Sequence, residues 1–227
     1  SHPTRRRRVR GRIGRDAAEN EREIARVAIK EIDLRSRPSD QAPIIGKRYR
    51  DQLVHIYDEL NPPDAPKYYN TLWYRVWGGY IHSAHLQIVD IRHNEPMSYI
   101  PETGQLCEVT VPYTIAYQYN QWEGWQPWKG SRLYYETTHW ATGIAQGPDG
   151  EPWYQITSEI DNYLVYYVPA VHMHVFSEEE WSPISIHVPP EKKRIQVSLS
   201  KQMVFAYEDG QEVFSCKISS GIPNPRL

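Results

Sequence analysis

The chain has 227 residues, a net charge of −2, and aromatic residues dominated by 17 Tyr and 8 Trp against 3 Phe. Amphipathic aromatics together with 18 Pro are typical of short strands joined by loops rather than of Leu/Ala-rich helices. No apolar run approaches the roughly 20 residues that a membrane-spanning helix needs, and two Cys are too few for a disulfide-stapled scaffold. The composition therefore predicts an all-β fold, in one large domain or several small ones.

The charge is distributed unevenly along the chain. Residues 1–15 contain seven Arg and no acidic residue, and subtracting their +7 from the net −2 leaves −9 on residues 16–227. An acidic body argues against nucleic-acid binding there, because phosphate contacts require clustered Lys and Arg. We expect residues 1–26 to be a disordered basic tail, the one segment suited to anionic lipid, wall polymer or nucleic acid. Within it, the capping-box pair Asp16 and Glu19 favours a short helix ending near Arg26.

Residues 27–91 have the pattern of a small barrel of short strands. Strand-like runs follow one another at close spacing, separated by turn residues and by a Pro-rich insert at Asn61–Tyr69. The opening Leu34-Arg-Ser-Arg-Pro38 and the closing Gly79-Tyr-Ile81 resemble those of a bacterial SH3-like (SH3b) domain. We expect three of the strands at Leu53–Tyr57, Trp73–Val76 and Tyr80–Leu86.

A second copy of this pattern follows a linker at residues 92–106. Trp153-Tyr-Gln-Ile156 repeats Trp73-Tyr-Arg-Val76, and Tyr167–Val175 repeats Tyr80–Ile88 with Tyr, His and apolar positions in step. A longer distance from Trp to Tyr in the second copy places an insertion near Ser158–Leu164. Internal repetition on this scale indicates tandem domains of one fold. Residues 107–180 are therefore predicted to be a divergent SH3-like module.

The second module concentrates aromatic residues. Rings of this kind stack on sugars and peptides, but small barrels also bury Trp and Tyr in their cores, and the sequence leaves both readings open. The predicted ligand-binding residues are Trp122, Trp125, Trp128 and Trp140.

The closely spaced histidines do not predict a metal site. His172-x-His174 on a strand would place both rings on one face, but a structural site needs about four ligands, and no Cys or acidic residue lies at ligand spacing. His85 and His172 occupy equivalent positions of the repeat, which favours a structural role for both.

The last predicted segment, residues 184–227, begins with a three-strand pattern. Asp209-Gly210 between Met203–Glu208 and Gln211–Ile218 predicts a two-residue hairpin turn. The implied register pairs Tyr207 with Glu212, Phe205 with Phe214 and Met203 with Cys216. Apolar residues on both faces predict a strand pair covered on both sides, with Cys216 as a packed core thiol rather than a nucleophile.

These residues resemble the opening of the L,D-transpeptidase (YkuD) catalytic domain. The resemblance lies in Ile195–Leu199, Lys201-Gln202, Phe205–Gly210 and Ile218–Gly221. It ends before the family's catalytic His and Ser-His-Gly-Cys motif, which does not occur in this sequence. The resemblance implies a truncated β-sandwich at residues 184–227, no catalytic residue in this chain, and no activity of this chain alone.

The resemblance also implies a function for the parent protein. Such a protein would lie in the bacterial cell envelope or be secreted, and would use an activated Cys, without metal or organic cofactor, to attack a peptidoglycan stem peptide and transfer the acyl group to an amine. The SH3-like modules would target or orient it at peptidoglycan stem peptides or glycan. The alternative is a non-enzymatic tandem SH3-like protein that binds cell wall or peptide.

Overall fold

The computed structural model describes residues 23–63, 70–157 and 164–218. These contain eighteen strands and four short 3-10 turns, so the predicted all-β fold is confirmed. The described strands form four open antiparallel sheets rather than the closed barrels expected for the two modules. The chain divides into two compact units, Ser1–Phe176 and Ser177–Leu227. The tail before residue 23, the tip of the first insert at 64–69 and most of the second at 158–163 lie outside the described residues.

The first module consists of two sheets around one core. A three-stranded sheet has the order β4-β1-β8 and a five-stranded sheet the order β3-β2-β7-β6-β5. Ala25, Val27 and Ile81 are fully buried between them. The strands are β1 Ile24–Val27, β2 Glu31–Arg35, β3 Ile44–Tyr49, β4 Leu53–His55, β5 Asp58–Leu60, β6 Trp73–Val76, β7 Gly79–His82 and β8 Leu86–Val89.

The predicted helix ending near Arg26 is wrong in its last turn. Ile24–Val27 is a strand, paired on one side with β4 and on the other with β8. The capping-box signal is local, whereas this segment gains two ladders of hydrogen bonds and buries two apolar side chains as a strand. The earlier part of the predicted helix, residues 16–22, lies outside the described residues.

The second module is a single seven-stranded sheet of order β11-β10-β14-β13-β12-β9-β15. Its inner face buries Tyr154, Ile156, Val168, Met173 and Cys107. The strands are β9 Gln105–Val109, β10 Tyr113–Asn120, β11 Gly124–Tyr134, β12 Thr138–Gln146, β13 Pro152–Thr157, β14 Val165–Pro169 and β15 Met173–Val175.

The two modules share one backbone framework. In both, a strand pair is followed by a 3-10 turn and a last strand: β6, β7, Ser83–His85 and β8 in the first, and β13, β14, Ala170–His172 and β15 in the second. In both modules the backbone carbonyl of the last residue of this turn accepts a hydrogen bond from a backbone N–H of the segment that follows the first strand. His85 O accepts a hydrogen bond from Ala28 N (2.9 Å), and His172 O accepts one from Thr110 N (3.0 Å).

The turn before the fourth strand is also repeated. Asp51 N donates to Val27 O (3.0 Å), and Glu136 N donates to Val109 O (2.9 Å). Asp51 and Glu136 both have positive φ, at 68° and 62°. The left-handed conformation is uncommon for residues with a side chain, so its recurrence places these two residues at equivalent positions.

A buried ionic cluster joins the two modules. Asp51 Oδ1 accepts a hydrogen bond from Arg26 Nη1 at 2.9 Å, and its Oδ2 lies 2.9 Å from Arg132 Nη1 of the second module. The Arg26 guanidinium also lies 4.1 Å above the ring of Tyr134 and donates to Gln87. Because Arg26 is 5% exposed, its charge depends on Asp51 for compensation.

The C-terminal unit contains one three-stranded sheet, β16-β17-β18, formed by Lys193–Ser198, Met203–Glu208 and Gln211–Lys217. The predicted Asp209-Gly210 turn is confirmed, with φ of 49° and 81°. The pairing of Tyr207 with Glu212 is confirmed as well.

Beyond that pair the predicted register is wrong. An irregularity between Ala206 and Tyr207 shifts the pairing by one residue, so Phe214 pairs with Ala206 rather than Phe205, and Cys216 with Val204 rather than Met203. A bulge of this type inserts one residue into a strand and moves the residues beyond it to the other face. The Asp209-Gly210 turn signal alone does not predict this bulge.

The shift places apolar side chains together on one face of this sheet. The prediction that this face is covered is wrong, because its side chains are partly exposed. Ile195 is 75% exposed and Phe214 40%, and Cys216 is half-buried rather than a fully packed core thiol. The face carries Ile195, Val197, Val204, Ala206, Phe214 and Cys216.

Candidate ligand-binding face of the second module

The structure separates the four predicted ligand-binding residues. Trp128 packs against the buried core, with its ring 5.4 Å from that of Tyr166. Trp125, three residues earlier on β11, packs instead among the rings of the outer face. Trp140 on β12 is 41% exposed, and Trp122 at the β10–β11 hairpin tip is 86% exposed. Trp128 is therefore a core residue, and the other three are available to a ligand.

Strand register places Trp125 and Trp140 on the same face of the sheet. Trp140 pairs with Thr157, Gln155 pairs with Tyr167, and Tyr167 pairs with Tyr117, while Trp125 pairs with Tyr119. Residues two apart on a strand share a face. We call this surface the aromatic face; its residues are Tyr117, Tyr119, Trp125, Trp140, Thr142, Gln155, Thr157 and Tyr167.

One end of the aromatic face is a cluster of packed rings. Trp125 lies 5.1 Å from Tyr119 and 5.0 Å from Tyr167, with the Tyr167 ring edge-on to it. Beneath them Trp153, only 4% exposed, contacts Trp125 at 5.9 Å and Tyr117 at 5.1 Å. These distances are those of favourable aromatic pairs, so the cluster holds Trp125 in a defined orientation while Tyr119 remains 56% exposed.

The Trp153 ring is itself fixed by its surroundings. Its indole Nε1 donates to Asp149 Oδ1 at 2.8 Å. Gly147 allows the ring to lie against the backbone, because a Cβ at that position would fall 2.1 Å from it. Trp153 thus forms a rigid base for the exposed rings.

A polar strip runs from the ring cluster toward Trp140. Tyr167 Oη donates to Gln155 Oε1 (3.4 Å), Gln155 Nε2 donates to Thr142 Oγ1 (3.2 Å), and Thr142 and Thr157 hydroxyls lie 3.0 Å apart. Hydroxyl and amide groups can both donate and accept hydrogen bonds. The strip can therefore pair with a ligand rich in the same groups.

The aromatic face carries no charged side chain among its described residues. The charges that flank it are Arg132 on β11, which is paired with Asp51, and Glu108 on β9, beyond Trp140. A third is Asp149 beside the ring cluster, whose Oδ1 accepts hydrogen bonds from Trp153 Nε1 and Glu151 N. This surface is suited to an uncharged ligand.

Trp122 is displayed by the hairpin turn at the edge of the same strands. Asn120 Oδ1 accepts hydrogen bonds from the backbone N of Trp122 (2.9 Å) and of Glu123 (2.7 Å). Gly124 completes the turn at φ 68°. The turn is stabilised by its own polar side chain, so the Trp122 ring is not needed for its shape.

A cleft of about 670 Å³ lies in the first module. It contains Trp73, whose ring meets His82 edge-on at 5.2 Å, and it is rimmed by ion pairs: Glu31 with Lys47 at 2.6 Å and Asp33 with Arg35 at 3.2 Å. The hydrogen bond from Lys47 lowers the pKa of Glu31. Two of the carboxylates at this rim, those of Glu31 and Asp33, are therefore paired with cations, and Asp40 also lines the cleft.

His172 and Cys107 have structural partners: Cys107 Sγ, for example, donates to His139 O at 3.2 Å. His172 Nδ1 lies 2.9 Å from Thr114 Oγ1, and its ring stacks on His93 at 5.7 Å. Within the described residues no group of three potential metal ligands comes together. Burial raises the pKa of Cys107 to about 12, so its thiol is neutral at physiological pH.

Sequence reasoning found Trp125 and Trp140 but missed the other six residues of the aromatic face: Tyr117, Tyr119, Thr142, Gln155, Thr157 and Tyr167. The period-two spacing of Tyr117 with Tyr119 on β10 and of Gln155 with Thr157 on β13 was the available signal. Across the described residues no helix is long and apolar enough to cross a membrane. No protein-family model matches this sequence, and no curated protein matches it significantly.

Proposed function

We propose that this chain is the wall-binding part of a bacterial cell-envelope protein resembling an L,D-transpeptidase, and that the aromatic face of the second module holds peptidoglycan. The observation that carries the proposal is the face itself: exposed rings at both ends of a hydroxyl and amide strip. Ligand sites combine apolar or aromatic surface with a few placed polar groups in this manner. The resemblance of the last strands to a wall-crosslinking family supplies the choice of polymer.

In this proposal the chain contributes attachment rather than chemistry. A thiol nucleophile needs partial exposure and a nearby base or helix N-terminus, whereas Cys107 is fully buried with a raised pKa, and Cys216 lies in the middle of β18. We expect the purified chain to release no D-amino acid from stem peptides. Release of D-amino acid that is lost in Cys216→Ala would contradict this assignment.

The test of binding is co-sedimentation of the purified chain with purified peptidoglycan sacculi. We expect the chain to sediment, and the double variant Trp125→Ala/Trp140→Ala to lose at least tenfold in affinity. Trp77→Ala is the matched control, since Trp77 is 78% exposed on the β6–β7 turn of the first module. Absence of sedimentation, or an equal loss in the control, overturns the proposal.

The alternative candidate is a non-enzymatic tandem SH3-like protein that binds peptide. The observation that favours it is the charged cleft of the first module, whose carboxylates and cations suit a zwitterionic ligand. The two candidates differ in which surface matters: Asp33→Ala would abolish peptide binding in the cleft, whereas it should leave sacculus binding through the aromatic face unchanged.

A further inference from the structure

The aromatic face has a chemistry that discriminates between the two components of peptidoglycan. This inference rests on the proposed function above. We propose that the face binds the uncharged glycan strand, as an extended run of amide-bearing sugars, and not the charged stem peptide.

The charge of the aromatic face favours an uncharged ligand. A stem peptide carries free carboxylates and amines, and a site that takes charged groups out of water must offer opposite charges or lose affinity. The aromatic face offers Tyr, Trp, Thr and Gln side chains. The charges that flank it already have partners within the protein or lie beyond it: Arg132 is paired with Asp51 at the joint, Asp149 accepts hydrogen bonds from Trp153 Nε1 and Glu151 N, and Glu108 lies on the neighbouring strand.

The polar and apolar groups of the aromatic face match those of a sugar ring. A pyranose ring presents an apolar C–H face and a rim of hydroxyl and amide groups. Trp125 and Tyr119 offer a surface for the C–H face, while Gln155, Thr142 and Thr157 offer groups that both donate and accept. The protein therefore offers an apolar surface and hydrogen-bonding groups side by side, as a sugar ring does.

The length of the aromatic face favours an extended ligand. Trp125 on β11 and Trp140 on β12 are separated by four strand intervals in the sheet order, which at about 4.8 Å each gives roughly 19 Å. Neighbouring rings within the cluster are only 5.0 to 5.1 Å apart. A single sugar cannot reach both ends of the face, so the occupant is a chain lying across the strands.

Gly143 supplies a variant that blocks the face without removing any ring. It pairs with Gln155 across β12 and β13, and a Cβ added there would lie 3.8 Å from the Gln155 side chain, an ordinary contact. Gly143→Leu therefore places an apolar side chain on the polar strip while the rings beneath keep their packing.

The experiment titrates the full chain, by calorimetry and tryptophan fluorescence, with an oligomer of β-1,4-linked N-acetylglucosamine and separately with a synthetic stem peptide that bears no sugar. We expect binding of the oligomer only. Gly143→Leu and Trp140→Ala should each weaken it at least tenfold, and Trp77→Ala should leave it unchanged. Near-ultraviolet circular dichroism checks that each variant folds. The two variants change different positions, so if one of them fails to fold, the binding result of the other still tests the proposal.

The outcomes separate this inference from the proposed function. Binding of the stem peptide with equal or higher affinity overturns the glycan assignment, as does sedimentation with sacculi without binding of the oligomer; in both cases wall binding still stands. Absence of both sedimentation and oligomer binding overturns the two together.

Discussion

The two modules use one framework for different surfaces. The hairpin β2–β3 and the hairpin β10–β11 precede the same positive-φ turn, and each makes one pair with the strand before the 3-10 turn: Arg35 with Tyr80 in the first module and Tyr117 with Tyr167 in the second. Around Arg35 the first module has ion pairs and a cleft. Around Tyr117 the second has packed rings. The backbone is repeated, and the chemistry of the exposed face is not.

Strand length accounts for much of this difference. β2 and β3 contain five and six residues, whereas β10 and β11 contain eight and eleven. The added residues include Tyr119 and Trp125, which extend the outer face beyond the point where the first module ends. Elongated hairpins thus create a surface without altering the hydrogen bonds that define the fold.

The largest expected effect comes from breaking the joint between the modules. Asp51→Asn keeps the shape and the tolerance for positive φ but removes the charge that compensates Arg26 and Arg132. Loss of one partner of a buried ion pair costs about 3 kcal/mol or more, which urea denaturation would measure. Glu136→Gln, at the equivalent but exposed turn position, should change the free energy of unfolding by no more than about 0.5 kcal/mol; equal effects would show that the joint contributes nothing.

The next largest effect distinguishes the inner from the outer aromatics of the second module. Trp128→Ala removes a ring that packs against the core and should destabilise the protein by about 3 kcal/mol. Trp122→Ala removes an almost fully exposed ring and should leave the unfolding midpoint unchanged. A stable Trp128→Ala variant would contradict the division into core and ligand-binding rings.

A smaller effect is expected where the two frameworks carry different core residues. The matching hydrogen bonds of Val27 and Val109 make Ala25 and Cys107, two residues earlier on each strand, equivalent. Both are fully buried. Cys107→Ala should therefore cost only about 1 kcal/mol, the loss of one buried sulfur. With a pKa of about 12, Cys107 should also resist a thiol reagent at pH 8 while half-buried Cys216 reacts. If the reagent modified Cys107 and Cys216 at equal rates in the folded protein, the burial of Cys107 would be contradicted.

The smallest predicted effect is a pH dependence of stability. Burial, and then the neighbouring His93, lower the pKa of His172. A base with a lowered folded-state pKa binds fewer protons than in the unfolded chain, so stability is lost as pH falls through the unfolded value near 6.5 toward the folded value. Unfolding free energies at pH 7.5 and pH 5 should differ more in the wild type than in His172→Gln; an unchanged difference would remove His172 as the source.

The framework was largely predictable from sequence, because period-two alternation and internal repetition are physical consequences of paired strands. Trp73–Val76 is a strand as predicted, and the predicted equivalence of His85 and His172 agrees with their matching backbone hydrogen bonds. The predicted strand Leu53–Tyr57 ends at His55 instead, and the predicted strand Tyr80–Leu86 was wrong, because a 3-10 turn at Ser83–His85 interrupts it. The β16–β18 register was not predictable beyond Tyr207, since a single bulge moved Phe214 and Cys216 to the opposite face. Two of the eight residues of the aromatic face were predicted from the sequence. Counting Trp residues finds Trp125 and Trp140, but whether Trp128 faces inward depends on strand facing, which needs the pairing partners.

The duplicated framework has a consequence for the tolerance of this chain to mutation. Each module is a reference for the other, so the pairs Ala25/Cys107, Ile81/Val168, Val76/Ile156 and Ser83/Ala170 record substitutions that one architecture already accepts at buried positions. The pairs that do not vary, such as Val27/Val109 and Trp73/Trp153, mark where the architecture is demanding. Exchanging residues between the modules is thus a guided route to new surfaces: transplanting Tyr117, Tyr119 and Trp125 onto a lengthened β2–β3 hairpin would give the protein a second aromatic face.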